Sequence, residues 1–393
     1  MIPRAAAIVA ATALAGREAG ADPLRLRADA FATTTAPAGL LSLEATGDDG
    51  ANLSAQALVW TGWTGAATND QAVGDVLVIA LRARTTDGRA SGQVGRFVAM
   101  LGALRPLHVD GASGRLRLPY RFDVEAYAGI PVVPSLATAR TWDWATGGRV
   151  SRRLGDWGST GIAYTEQRDD GRLATEEVGL DGGVAIGKHD DVGAKLAYDL
   201  INPGIAEATL TASDRRGAFR TEVFASYRAA SHLLPATSLF TVLGDIPAGR
   251  VGVSETWRAA PRLDVGGDLA VRRAEESTAP ELSVHAKLRL DDRGRSALGG
   301  ELRRDGVGGN EWTGARATAL IQLPYALAFS SELELVIPDH ARGLGVVWPW
   351  ALVALSKKHH AWDAAVAVEA SASPTDRRRV DVLAQVGCAW GKP

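Results

Sequence analysis

The sequence predicts an all-β fold, an antiparallel transmembrane β-barrel of about 16 strands (range 14–18). Three observations carry that expectation. Apolar and polar residues alternate with period two along most of the chain. The clearest alternating runs are 10 to 13 residues long, which is the length a tilted strand needs to cross a bilayer, about 9–11 residues. The polar faces of those runs hold many ionisable groups, which a water-filled lumen tolerates and a packed core does not.

The 393 residues have a mean hydropathy of -0.02 and 22% charged residues. No run reaches the 18 apolar residues of a membrane helix. Hydrophobic content of 46% and a net charge of -2 exclude a disordered chain. The single cysteine, Cys388, allows no internal disulfide. A pI near 6.4 leaves no electrostatic footprint for nucleic acid.

The N-terminus reads as a cleaved signal peptide over 1–21. Arg4 supplies the positive end, Ala5 to Gly16 the apolar stretch, and Ala19-Gly20-Ala21 the small-residue cleavage site, leaving Asp22 first in the mature chain. Residues 22–50 read as an irregular N-terminal segment, and 51–393 as one barrel domain without an internal linker.

The elements follow from the alternation. In Glu281 to Asp291, Leu282, Val284, Ala286, Leu288 and Leu290 oppose His285, Lys287 and Arg289. In Asp191 to Leu200, Val192, Ala194, Leu196 and Tyr198 oppose Asp191, Lys195 and Asp199. Tyr325 to Ile337 sets Leu327, Phe329, Leu333 and Leu335 against Glu332 and Glu334. Ala361 to Ser371 sets Trp362, Val366 and Val368 against Asp363 and Glu369, and Val380 to Trp390 closes the series. Fourteen weaker segments lie near 52–62, 75–85, 91–104, 116–129, 147–154, 158–167, 173–186, 204–213, 217–228, 250–259, 262–273, 296–304, 312–323 and 345–356. Turn residues such as Asp87-Gly88 and Asn202-Pro203-Gly204 punctuate them.

The ten ionisable residues Asp191, Lys195, Asp199, His285, Lys287, Arg289, Glu332, Glu334, Asp363 and Glu369 are therefore the expected lumen-facing set. Trp348, Trp350, Trp362 and Trp390, near strand ends, are the expected lipid-interface aromatics. Closure is required because open sheet edges are not tolerated in hydrocarbon.

The pattern resembles porin-like outer-membrane β-barrel proteins of Gram-negative bacteria, particularly those of myxobacteria-like, GC-rich genomes. The likeness covers residues 51–390, with specific wording in two stretches. Gly95 to Pro134 looks like a strand, a loop holding Val109-Asp110-Gly111, and a return strand ending at Gly129; the second stretch is His232 to Asp245. The resemblance implies a barrel and a pore, and no particular substrate. Such barrels usually end on an aromatic residue read by the assembly machinery. Here Trp390 is followed by Gly391-Lys392-Pro393, which displaces that signal by three residues.

Motifs for chemistry are sparse. Gly182 to Lys188 matches G-x-x-x-x-G-K, but His189 follows where a phosphate loop needs Ser or Thr, so a hairpin turn is expected. His359-His360 beside Lys357-Lys358 reads as a charged hairpin loop, since adjacent strand residues face opposite ways. No H-E-x-x-H, G-x-S-x-G or paired C-x-x-C occurs, and neither an enzyme nor a cofactor is expected. Leu233 to Gly249 breaks the alternation and reads as a loop, either inward as a constriction or packed on a rim; Pro131 to Trp144 reads as an external loop.

The expected function is a passive channel for small hydrophilic solutes in the outer membrane. The rivals are a non-conducting structural or adhesive envelope barrel and a soluble secreted β-protein. Expected partners are the lipid bilayer, lipopolysaccharide, the assembly machinery and small solutes.

Overall fold

The computed structural model describes residues 25–33, 38–48, 52–64, 73–132, 143–229, 248–274, 277–309, 311–340, 346–372 and 378–390. The proposed signal peptide, the centre of the Leu233 to Gly249 segment, the His232 to Asp245 stretch and the Gly391-Lys392-Pro393 tail lie outside them.

Twenty-two strands form one sheet. They are β1 Arg25–Thr33, β2 Ala38–Asp48, β3 Leu53–Thr64, β4 Val73–Arg84, β5 Ala90–Ala99, β6 Leu107–Leu118, β7 Phe122–Pro131, β8 Trp144–Arg153, β9 Gly158–Asp169, β10 Arg172–Ile186 and β11 Asp190–Asp199. There follow β12 Gly204–Arg216, β13 Phe219–Arg228, β14 Ala248–Ala260, β15 Leu263–Ala274, β16 Ser277–Arg289, β17 Ala297–Asp305, β18 Trp312–Leu323, β19 Leu327–Pro338, β20 Trp348–His359, β21 Trp362–Ser371 and β22 Arg379–Trp390. Each pairs antiparallel with its sequence neighbours. β1 pairs with β22 from Leu26 opposite Trp390 to Thr33 opposite Leu383, which closes the ring. Among the described residues, no strand is left with an unpaired edge, as a membrane barrel requires.

The number of strands corrects the expected 16. Each of the nineteen alternating segments overlaps a strand, so setting some aside lowered the count. Two further sources account for the rest. The segment 116–129 holds the end of β6 and most of β7, joined at Pro119-Tyr120-Arg121. Tyr120 and Arg121 both adopt positive φ, 60° and 65°, as in a two-residue hairpin turn. Neither is Gly, Asn or Asp, so Pro119 is the turn's one composition signal. The segment 22–50, expected to be irregular, instead contains β1 and β2. Its apolar positions are largely alanine (Ala28, Ala30, Ala32, Ala45), which weakens the contrast between faces.

The two ends of the barrel differ. At the end holding residues 25 and 390, connections are short: 217–218, 261–262 and 360–361 have two residues, and the longest is 290–296. At the other end they include 65–72, 100–106, 132–143, 229–247 and 339–347. These are called the turn end and the loop end below.

The two faces of the wall also differ. Outward positions include Ile79, Leu81, Val94, Leu180, Leu210, Leu269, Leu282, Leu333, Val353, Val366 and Val386, each at least 40% exposed. Aromatic residues mark both ends of this apolar belt, with Trp144 and Tyr227 near the loop end. Phe219 stacks on Trp257 with ring centroids 5.9 Å apart, and Trp362 meets Trp390 edge-on at 6.3 Å, both near the turn end. An apolar belt bounded by aromatics is what a lipid-embedded barrel presents.

Gly187, in the G-x-x-x-x-G-K match, has φ of 75° and forms the β10–β11 turn. His360, with φ of 50°, likewise turns β20 into β21.

Candidate functional site: the lumen and its inward-folded loop

All ten residues of the expected lumen-facing set lie on the wall face opposite the apolar belt. They do not converge on one site; they are spread over β11, β16, β19 and β21. Most are tied to a neighbour. Arg289 pairs with Asp264, Glu334 with Arg303, and Arg316 Nε lies 2.6 Å from Glu332. Arg27 reaches Asp363 at 3.4 Å. Ser213 donates to Asp191 at 2.6 Å, and Asp199 caps the β11–β12 turn by accepting from the amides of Ile201 and Asn202. His285 packs over Gly266 and lies opposite Glu301, while Lys195 stands opposite Asp181 and Lys287 opposite Asp264.

The aromatic expectation needs a correction for two of its four residues. Trp362 and Trp390 are on the outer face. Trp348 and Trp350 are on the inner one: Trp350 stands opposite Glu334, and its Nε1 donates to Glu369 Oε1 at 2.8 Å. The reason is parity. In β20 the outward positions are Val353 and Leu355, so the even-numbered tryptophans face the lumen.

Inner-face glycines let ion pairs span more than one strand. Arg149 on β8 reaches Asp181 on β10 at 2.6 Å, passing over Gly161 on β9. A Cβ on Gly161 would sit 2.8 Å from Arg149 Nη2, so a side chain there would displace the bridge.

One connection turns into the lumen. Residues 100–106 leave β5 at the loop end and fold against the inner wall. Leu101 and Leu104, 6% and 5% exposed, join Phe97, Val109, Tyr127, Ala145, Ala163 and Ala197 in a buried cluster. Burying each leucine contributes about 1.5–3 kcal/mol. Small residues on the facing strands make the seat. A Cβ on Gly147 would lie 2.6 Å from the Tyr127 ring and 2.9 Å from Leu101. One on Gly179 would lie 3.0 Å from Leu104. Polar ties complete it. Arg105 donates to Thr175 Oγ1 at 3.0 Å and lies 3.9 Å from Glu177, itself 2% exposed. Tyr127 and Thr165 share a hydroxyl bond of 2.6 Å beneath the loop. At the loop-end rim, Val307 leans on Ala274 and Ala279 in a smaller cluster.

Sequence reasoning missed this loop. In Gly95 to Pro134 it placed the loop at Val109-Asp110-Gly111, which lies inside β6. Val109 is fully buried opposite Phe97, and Asp110 accepts from Arg96. The available signal was Leu101-Gly102-Ala103-Leu104, an apolar turn too greasy for an exposed loop.

No known family model and no curated protein matches the sequence. Among solved structures, the siderophore receptor PirA of Pseudomonas aeruginosa is similar at a TM-score of 0.57 and 9% identity, covering 95% of this chain and 81% of that one. The translocation pore of the P pilus usher PapC gives 0.52 at 9% identity, covering 94% and 99%. PapC within an Escherichia coli pilus tip assembly intermediate gives 0.51 at 10% identity, covering 95% and 61%. The likeness is one of fold: this chain is a closed β-barrel similar to those of Gram-negative outer membranes.

Proposed function

We propose that the chain forms a passive channel for small hydrophilic solutes in the outer membrane of a Gram-negative bacterium. The observation that supports this reading is the inner wall. Mixed-sign ion pairs and hydroxyls line it around the ring, from Arg27–Asp363 through Arg149–Asp181 to Arg316–Glu332. Side chains in such a wall are hydrated rather than packed against one another. Among the described residues, the buried cluster under the inward-folded 100–106 loop draws on β4 to β12 and leaves the rest of the ring lined by the ion pairs. Short turns face the periplasm and longer loops the outside, as in other outer-membrane barrels. Bilayer lipid and lipopolysaccharide contact the apolar belt, the assembly machinery inserts the chain, and no catalytic role is proposed.

Planar-bilayer recording tests the reading. The purified, folded barrel should give stepwise ohmic current in potassium chloride. A folded preparation without current steps would favour a non-conducting envelope barrel instead.

A further inference from the structure

Between the underside of the 100–106 loop and the turn-end mouth lies a cavity of about 490 Å³ against strands β3 to β7. Its volume falls in the range of small-molecule sites. Its charge is uneven. Three guanidiniums, Arg82, Arg84 and Arg115, line it together with one carboxylate, Glu125. Arg115 lies 3.5 Å from Glu125 and 3.2 Å from Asp123. Arg82 is exposed, and its hydrogen bond goes to a neutral acceptor, Gln93 Oε1, at 2.9 Å. That bond leaves the Gln93 amide as a donor pointing along the same wall. Ser91 on β5, opposite Arg115, and Ser113 on β6, opposite Gln93, add hydroxyls, while Met100 and Leu101 add apolar surface on the loop side.

From this lining we infer that the cavity is a binding site for small hydroxylated organic anions on their way through the lumen. The anion's carboxylate takes the Arg82 guanidinium, whose planar fork matches two carboxylate oxygens. The serines and Gln93 serve the solute's hydroxyls. The inference rests on the channel reading for the route of entry, but the binding itself does not require current.

Calorimetric titration of the detergent-folded barrel with gluconate and with sorbitol, its neutral counterpart of like size, tests it. Gluconate should bind and sorbitol should bind at least about tenfold more weakly. Arg82→Gln should weaken gluconate about tenfold, and Arg82→Lys should restore part of the loss. Arg220→Gln, on the far wall, should change nothing. Equal binding of gluconate and sorbitol, or an Arg82→Gln barrel that binds as the parent does, would overturn the inference. Conductance in potassium chloride alone is read on the same preparations. Current without gluconate preference defeats only the anion site, whereas gluconate binding without current defeats only the channel.

Discussion

At the residue scale, several turns of this barrel use side chains that favour other backbone regions. Tyr325 and Ala326 adopt φ of 63° and 57° in the β18–β19 turn, repeating the geometry of Tyr120-Arg121. A left-handed conformation costs a residue other than glycine roughly 1 kcal/mol. Ala326→Gly should therefore stabilise the barrel by up to about 0.5–1 kcal/mol, less the added freedom of glycine in the unfolded chain; equilibrium urea unfolding in detergent checks it. In the 85–89 turn, Asp87 Oδ1 accepts from the Thr85 hydroxyl at 2.6 Å and from the Arg89 amide at 3.0 Å. These bonds hold the Asp87 carboxyl below its usual range. The turn contact is thus present above the ordinary carboxylate pKa of about 4 and is lost only as pH falls through the lower, folded value. Thr85→Val should move Asp87 back up toward the ordinary value, as followed by its carboxyl NMR shift against pH. The Asp87-Gly88 turn was legible from its composition, whereas the Tyr120-Arg121 turn was not, because its positive φ falls on residues that rarely adopt it. The lumen parity of Glu332, Asp363 and their partners was legible, because a period of two needs only one face to be apolar.

At the element scale, the 100–106 loop is the feature that alternation alone does not reveal. A barrel strand is recognised by its regular pattern. Apart from its own apolar Leu101-Gly102-Ala103-Leu104, this loop is recognised by the glycines and alanines across from it, on β8, β9, β10 and β11, which are distant in sequence. Its seat is also its weak point. Leu101→Ser with Leu104→Ser should release the loop from the wall, since each change removes about 1.5–3 kcal/mol of apolar burial. Single-channel conductance should rise or become noisier in the double variant, while the heat-modifiable gel shift of the folded barrel is retained. The ion pair under the loop is structural in another way. Arg149 and Asp181 are 16% and 13% exposed, so Arg149→Met leaves a half-buried carboxylate without its main counter-charge. A loss of about 2–4 kcal/mol in unfolding free energy is expected, and Asp181→Asn in the same background should recover part of it.

At the scale of the whole molecule, membrane insertion and closure are one requirement. β22 is hydrogen-bonded to β21 on one side and β1 on the other, so it completes two ladders at once. Removing residues 379–393 would open both and leave two edges in lipid. Such a chain should fail to show the folded, heat-modifiable form on gels. The barrel class was readable from the sequence, because alternation persists over most of its length. The circumference was not: counting strands demands that every weak alternation be admitted, and β1, β2 and the β6–β7 boundary are the weakest.

The braced loop gives the ring a mechanical asymmetry. Leu101 is wedged against β7 and β8, while Arg105 is fastened to β10, so one short segment ties non-adjacent staves of the wall together. A hoop with an internal strut on one side cannot flex evenly. In a bilayer, lateral pressure would be resisted along the braced arc and taken up by the opposite one.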